Sequence, residues 1–161
     1  PGQGPFMAIA MPFVDGTTLD VYLSGQVACN ARPLPVGECF SIVSAVAEFI
    51  VSGHRACGLV HGDLKPGNLM RNPTNREIYV IDLTLGSCYA RKPVGWHQGT
   101  TPYMPPERLL FFDAPIWAST AWAGAMGDMW SLGVIMATVY LTGEQMLDIP
   151  EYMAVLGPGR R

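Results

Sequence analysis

Lysine is nearly missing from this chain of 161 residues: only Lys65 and Lys92 occur, and charged residues of all kinds make up 14%. With 13 acidic and 10 basic residues, a formal charge of −3 and no run of like charge, neither a nucleic-acid surface nor an anionic-membrane surface is expected. Cysteine is scarce too. Cys29, Cys39, Cys57 and Cys88 stand far apart with no CxxC pair, which excludes a disulfide-built scaffold and a structural zinc site and leaves reduced packing residues. The longest apolar stretch, Met129 to Leu141, has 13 residues, short of the roughly 20 that cross a bilayer, so a buried helix and no membrane segment is expected there. No repeat or low-complexity tract is present, and no basic segment followed by an apolar one opens the chain. Because the first residue is Pro1, further residues are expected upstream, and the cytoplasm stands as the default compartment. What the chain does have is 49% apolar residues, enough for one compact domain with a real core.

Fourteen prolines and 18 glycines cut the sequence into apolar blocks. Residues 6 to 14, FMAIAMPFV, read as an edge strand interrupted by Pro12. Asp15-Gly16-Thr17-Thr18 reads as a turn with a threonine cap, leading into a helix of one or two turns at Leu19 to Leu23. Glu38 to Val51 places Phe40, Ile42, Val43, Val46, Ala47, Phe49 and Ile50 close to helical spacing, and Gly53 is expected to stop that helix. Leu59-Val60 and Ile78 to Leu83 read as a hairpin-like pair around a polar loop. Gly86 to Ala125 shows little periodicity, and such a long loop inside a compact domain is usually functional. Asp128 to Leu141 is apolar on every side, which predicts a fully buried helix in which Trp130, Met129 and Met136, with Met126, Trp117 and Trp122 nearby, pack the core. His54 and His97 read as surface or packing residues, and His61 as a structural histidine.

Chemistry concentrates in His61-Gly62-Asp63-Leu64-Lys65-Pro66-Gly67-Asn68, which puts a carboxylate, an ammonium and a carboxamide within six residues on one loop. Fourteen residues after Asn68, the strand Tyr79-Val80-Ile81 delivers Asp82. Asn68 and Asp82 are hard oxygen donors suited to Mg²⁺, which typically takes one or two protein carboxylates plus substrate phosphates, and Asp63 is left for an acceptor hydroxyl.

In order, HGDLKPGN, Asp82-Leu83-Thr84, Pro105-Pro106-Glu107 and Asp128-Met129-Trp130-Ser131-Leu132-Gly133 resemble four motifs of the eukaryotic-type protein kinases: the catalytic loop, the DFG triplet, the APE triplet and the start of the following buried helix. The 25 residues from Asp82 to Glu107 suit an activation segment. The resemblance implies a mostly α fold with short β-hairpins, the C-terminal lobe of such a kinase, with residues 1–14 the end of an N-lobe strand and hinge and residues 15–161 the lobe itself, shortened at its C-terminal end. It implies transfer of the ATP γ-phosphate to a protein serine or threonine hydroxyl, with Asp63 as base, Lys65 and Thr100 as its catalytic companions, and Asn68 and Asp82 holding Mg²⁺. Met11, Pro12 and Val14 would meet the adenine, Met70 would lie under it, and Asp128 would accept backbone N–H groups of the catalytic loop.

The pattern also departs from the family. Its N-terminal β lobe, with a glycine-rich loop and a strand lysine, is absent from this chain, since Gly2-Gln3-Gly4-Pro5 is no GxGxxG and no lysine precedes Lys65. The 161 residues alone are therefore expected to be inactive, and a missing lobe or an activating partner is implied. Gly62 replaces the arginine that ordinarily receives a phosphorylated activation loop, and Thr84 replaces a glycine. Glu107 is expected to lack the arginine that would pair with it. Two other readings remain open: a pseudokinase scaffold or allosteric module, supported by Gly62 and Thr84, and a small-molecule phosphotransferase of the aminoglycoside or choline type, whose catalytic loop also resembles HGD followed by PGN.

Overall fold

The computed structural model describes residues 12–29, 34–88, 99–110 and 121–141. Helix α1 (Leu19–Ala28) follows the short strand β1 (Thr17–Thr18), and α2 (Val36–Cys57) is the longest element. Then come β2 (Leu59–Val60), a 3₁₀ turn (Pro66–Asn68), β3 (Leu69–Arg71), β4 (Ile78–Val80), β5 (Ser87–Cys88), a second 3₁₀ turn (Thr101–Tyr103), α3 (Pro106–Leu110) and α4 (Ala121–Tyr140). Among the described residues the architecture is helical, with two small antiparallel sheets in the orders β1-β3-β4 and β2-β5.

The core forms where α2 lies against α4. Along α2 the buried positions are Cys39, Ile42, Val46 and Ile50, the three-and-four spacing that lines one helix face, and they join Leu19, Leu23, Leu34, Leu64, Leu69, Ile135 and Val139 in one cluster. This helix is long and apolar enough to cross a membrane by length and composition, and its buried face contributes to that core. A polar knot ties α1, α2 and β3 together. The Tyr22 hydroxyl donates to Glu38 Oε1 at 2.9 Å, Arg71 donates to the same oxygen through Nε at 3.1 Å and Nη2 at 2.8 Å, and the guanidinium stacks 4.4 Å from the Tyr22 ring centroid. Burial and the Glu38 carboxylate push the Tyr22 phenol above its ordinary pKa.

Several expectations need correction. The helix expected at Glu38–Val51 runs on to Cys57 and ends at Gly58, whose left-handed backbone (φ 64°) closes it. Gly53 does not stop it and lies inside the helix beside the Leu59 side chain of β2. Thr17 and Thr18 form a strand paired with Arg71 and Met70, and α1 extends to Ala28. The strand pairing also differs. β2 pairs with β5 and β4 with β3, because the loop 61–68 turns the chain away before a hairpin between β2 and β4 can close. α4 begins at Ala121, two turns before Asp128, and it is not buried all round: Ile135 and Val139 face α2, whereas Met129 keeps 47% exposure and Met126, Trp130 and Met136 are also exposed. The packing surface available to it among the described residues is one-sided. Of the cysteines only Cys39 is buried, while Cys29 and Cys57 are exposed and all four thiols are free. Most of the strand expected at 6–14, and Trp117, His97 and the side chain of Trp122, lie outside the described residues; Pro12 to Val14 form no strand.

Ile50, 2% exposed, is expected to lose about 2–5 kcal/mol of stability on truncation to alanine, whereas Val36, 71% exposed, is expected to change stability by less than about 0.5 kcal/mol; chemical denaturation of both variants checks the assignment of the core face.

Candidate functional site

The loop from His61 to Asn68 leaves strand β2, and its first two amides are satisfied from a distant helix. Asp128 on α4, 2% exposed, takes both: Oδ2 accepts His61 N–H at 2.9 Å and Oδ1 accepts Gly62 N–H at 2.9 Å. His54 Nε2 lies 3.2 Å from Asp128 Oδ2 and braces the carboxylate from α2. His61 is fully buried. Its Nε2 donates to Ile81 O at 3.1 Å, which leaves Nδ1 to accept Asp63 N–H at 3.3 Å, so the ring links the strand-end at 81 to the loop. Gly62 takes a positive φ of 80°, a backbone conformation that glycine adopts without steric cost.

Asp63 is the meeting point. Thr100 N–H donates to Oδ1 at 2.8 Å, Lys65 Nζ forms an ion pair with Oδ2 at 2.9 Å, and Asn68 Nδ2 donates to the Asp63 carbonyl at 2.8 Å and to Oδ2 at 3.3 Å. Lys65 Nζ also donates to Thr100 Oγ1 at 2.7 Å. Gly99 makes this possible. At φ 125° it lies so close to the loop that a Cβ would fall 3.2 Å from Gly62 O and 3.6 Å from Asp63 Oδ1, so a larger residue would push Thr100 off the carboxylate.

Asp82 stands one residue past Ile81, whose N–H donates to Asn68 O at 2.9 Å. Its backbone is left-handed (φ 62°), and both the Thr84 N–H, at 3.2 Å, and the Thr84 hydroxyl donate to its Oδ1. Those two hydrogen bonds hold the carboxyl below its ordinary pKa, with a smaller contribution from the charge of Lys65. Of the residues expected at the site, Asp63, Lys65, Asn68 and Thr100 are thus in direct contact, and Asp82 is tethered to Asn68 through the backbone. Met70 is half-buried in β3, Pro12 is exposed, Val14 is half-buried, and Met11 lies outside the described residues.

The sequence profile of the protein kinase domain matches residues 3–152. The chain belongs to the protein kinase family. Curated relatives of this kinase include mitogen-activated protein kinase kinase 10 of Arabidopsis thaliana, 37% identical over 103 residues, which cover 62% of the chain and 32% of the relative. Serine/threonine-protein kinase PknA of Mycobacterium tuberculosis is 28% identical over 137 residues, 83% of the chain and 28% of the relative. Probable serine/threonine-protein kinase pknA2 of Bifidobacterium longum is 29% identical over 143 residues, 87% of the chain and 17% of the relative. The chain therefore spans a third or less of the length of these relatives.

Sequence reasoning on this kinase missed two side chains that the folded site uses. His54 carries no local signal, since its partner Asp128 is 74 residues away. Arg108 reads as a helix-surface cation directly after Glu107, yet it is buried and donates from Nη1 to Gly62 O at 3.4 Å.

Two measurements check this geometry. Asp128→Ala strips the acceptor from the His61 and Gly62 amides, and at about 1–3 kcal/mol for each donor left unsatisfied it is expected to be among the most destabilising single changes in the loop's surroundings, read by denaturation. Thr84→Val removes the hydroxyl on Asp82, so the Asp82 carboxyl should titrate at higher pH in a carbon-detected NMR titration; an unmoved midpoint contradicts the assigned cause. Since the folded-state value is depressed, the associated stabilisation is present above the ordinary aspartate pKa and fades as pH falls through the lowered one.

Proposed function

We propose that this kinase transfers the γ-phosphate of ATP to a serine or threonine hydroxyl of a protein substrate, with Asp63 receiving the hydroxyl proton. The observation that carries the reading is the occupancy of the Asp63 carboxylate. An ionised carboxylate has about four acceptor sites, and Thr100, Lys65 and Asn68 fill three, which leaves one to orient and deprotonate an incoming hydroxyl. Lys65 has three N–H donors, of which Asp63 and Thr100 take two; the third is available to a transferring phosphoryl oxygen. Thr100 fixes both partners at once, its N–H on the aspartate and its hydroxyl on the lysine.

The donor chemistry fits a magnesium ion. The amide nitrogen of Asn68 is committed to Asp63, so its Oδ1 is the group left for a cation; Oδ1 of Asp82 is committed to Thr84, so its Oδ2 is left likewise. One amide oxygen and one carboxylate oxygen suit Mg²⁺, which takes few protein ligands and is completed by the nucleotide's phosphates. When bound, the ion neutralises phosphate charge, and the protein's part is to keep the two oxygens aimed. On this reading residues 15–161 belong to the C-terminal lobe, residues 1–14 end the N-lobe and form the hinge, Met11, Pro12 and Val14 meet the adenine, and Met70 in β3 closes the nucleotide pocket from below. Completing an ATP site calls for groups beyond these 161 residues, so the full-length protein is the one to assay.

In that protein, Asp63→Asn should lower kcat by about 10²-fold or more with Mg²⁺-dependent nucleotide binding retained, whereas Asp82→Ala should abolish the magnesium dependence of that binding. Nucleotide-free folding with no magnesium-dependent binding would instead favour a scaffold.

A further inference from the structure

A guanidinium inside a protein core is unfavourable unless its charge is met, and Arg108 is only 7% exposed. It belongs to the five-residue helix α3, at the end of the segment that begins with Gly99 and Thr100. Its Nη1 donates to the carbonyl of Gly62 at 3.4 Å, and the guanidinium lies beside Gly127 on α4. Burial lowers its pKa, and attraction by the charges of Asp128, Asp63 and Glu107 opposes that shift. The placement is not incidental to the loop. Gly62 N–H is bound by Asp128 and Gly62 C=O by Arg108, so both polar groups of the residue preceding Asp63 are gripped by charged side chains from two different helices.

We propose that Arg108 is a positioning residue for phosphoryl transfer: anchored on the Gly62 carbonyl, it fixes the peptide that carries Asp63 and couples the seating of residues 99–110 to the aim of that carboxylate. This rests on the phosphotransfer reading above. The residue compensates locally for what Gly62 lacks. A cation on the catalytic loop itself is absent at position 62, and one arriving from α3 ties the same two segments together without any phosphate on the segment. A lysine would keep the charge but not the planar fork that can serve a carbonyl and carboxylates at once, so Arg108→Lys should be intermediate between the natural residue and Arg108→Gln.

The test uses the full-length protein with Arg108→Gln and Arg108→Lys, comparing steady-state kinetics and amide hydrogen exchange. For Arg108→Gln the expected result is kcat down about tenfold or more with KM for ATP within about twofold, together with faster exchange of the Thr100 and Gly62 amides and unchanged exchange along α2; Arg108→Lys recovers part of kcat. Unchanged kcat with unchanged Thr100 exchange overturns the proposal. So does a parallel loss of kcat, nucleotide affinity and α2 protection, which marks a merely structural arginine. If Arg108→Gln does not fold, the same comparison on Arg108→Lys decides. Should the natural protein transfer no phosphate, the functional reading fails by itself, and the exchange comparison still decides the coupling: selective release of Thr100 and Gly62 upholds it, and no release sinks it.

Discussion

A single buried carboxylate sets the geometry on which the rest of this site depends. Asp128 comes from the middle of α4, a helix seated on α2 through Ile135 and Val139, and it accepts the amides of His61 and Gly62. The loop between β2 and the Pro66–Asn68 turn has no ladder of its own to hold it. Borrowing order from the α2–α4 pair that carries the core gives the loop a fixed backbone, and a fixed backbone is what pre-organised electrostatics require. His54 and His61 extend the same logic, one bracing Asp128 from α2 and the other linking Ile81 O to the Asp63 amide.

From that fixed loop the polar side chains assemble with few degrees of freedom. Asn68 folds back on Asp63 from the far end of the same turn, Lys65 reaches it from between, and Thr100 arrives from a distant segment that Gly99 allows to come close. Asp82 is drawn alongside by the Ile81–Asn68 backbone bond, and Thr84 takes one of its oxygens. Asp82 stays exposed, and the threonine hydroxyl, which a glycine would lack, orients its Oδ1 at the expense of the backbone freedom that glycine allows. The site thus combines an aspartate-bearing loop of fixed backbone with a second aspartate whose orientation is set by its own neighbour.

Much of the site could be read from the sequence because its parts are close along the chain. Asp63, Lys65 and Asn68 lie within six positions, and the spacing to Asp82, Glu107 and Asp128 carried the family resemblance that the kinase-domain match bears out. The fold was legible where periodicity was strong: the α2 face at Ile42, Val46 and Ile50 was visible, but its end was not, because Gly53 looks like a terminator until Leu59 is seen packing against it. Two-residue strands such as β2 and β5 are decided by tertiary pairing 29 residues apart, Leu59 with Cys88, which no local pattern encodes. The one-sidedness of α4 was equally hidden, since an all-apolar helix carries no moment to reveal which face meets a partner. Arg108 was missed for a related reason: a cation next to Glu107 looks like solvent-facing charge until the chain folds its guanidinium beneath Gly62.

The most direct test of the central claim is the identity of the phosphorylated product. Full-length protein incubated with Mg²⁺, γ-labelled ATP, a serine/threonine peptide library and a pool of amino alcohols is expected to place label on peptide hydroxyls. Label on the small alcohols alone, or none above that of a variant in which Asp63 is asparagine, would contradict the account.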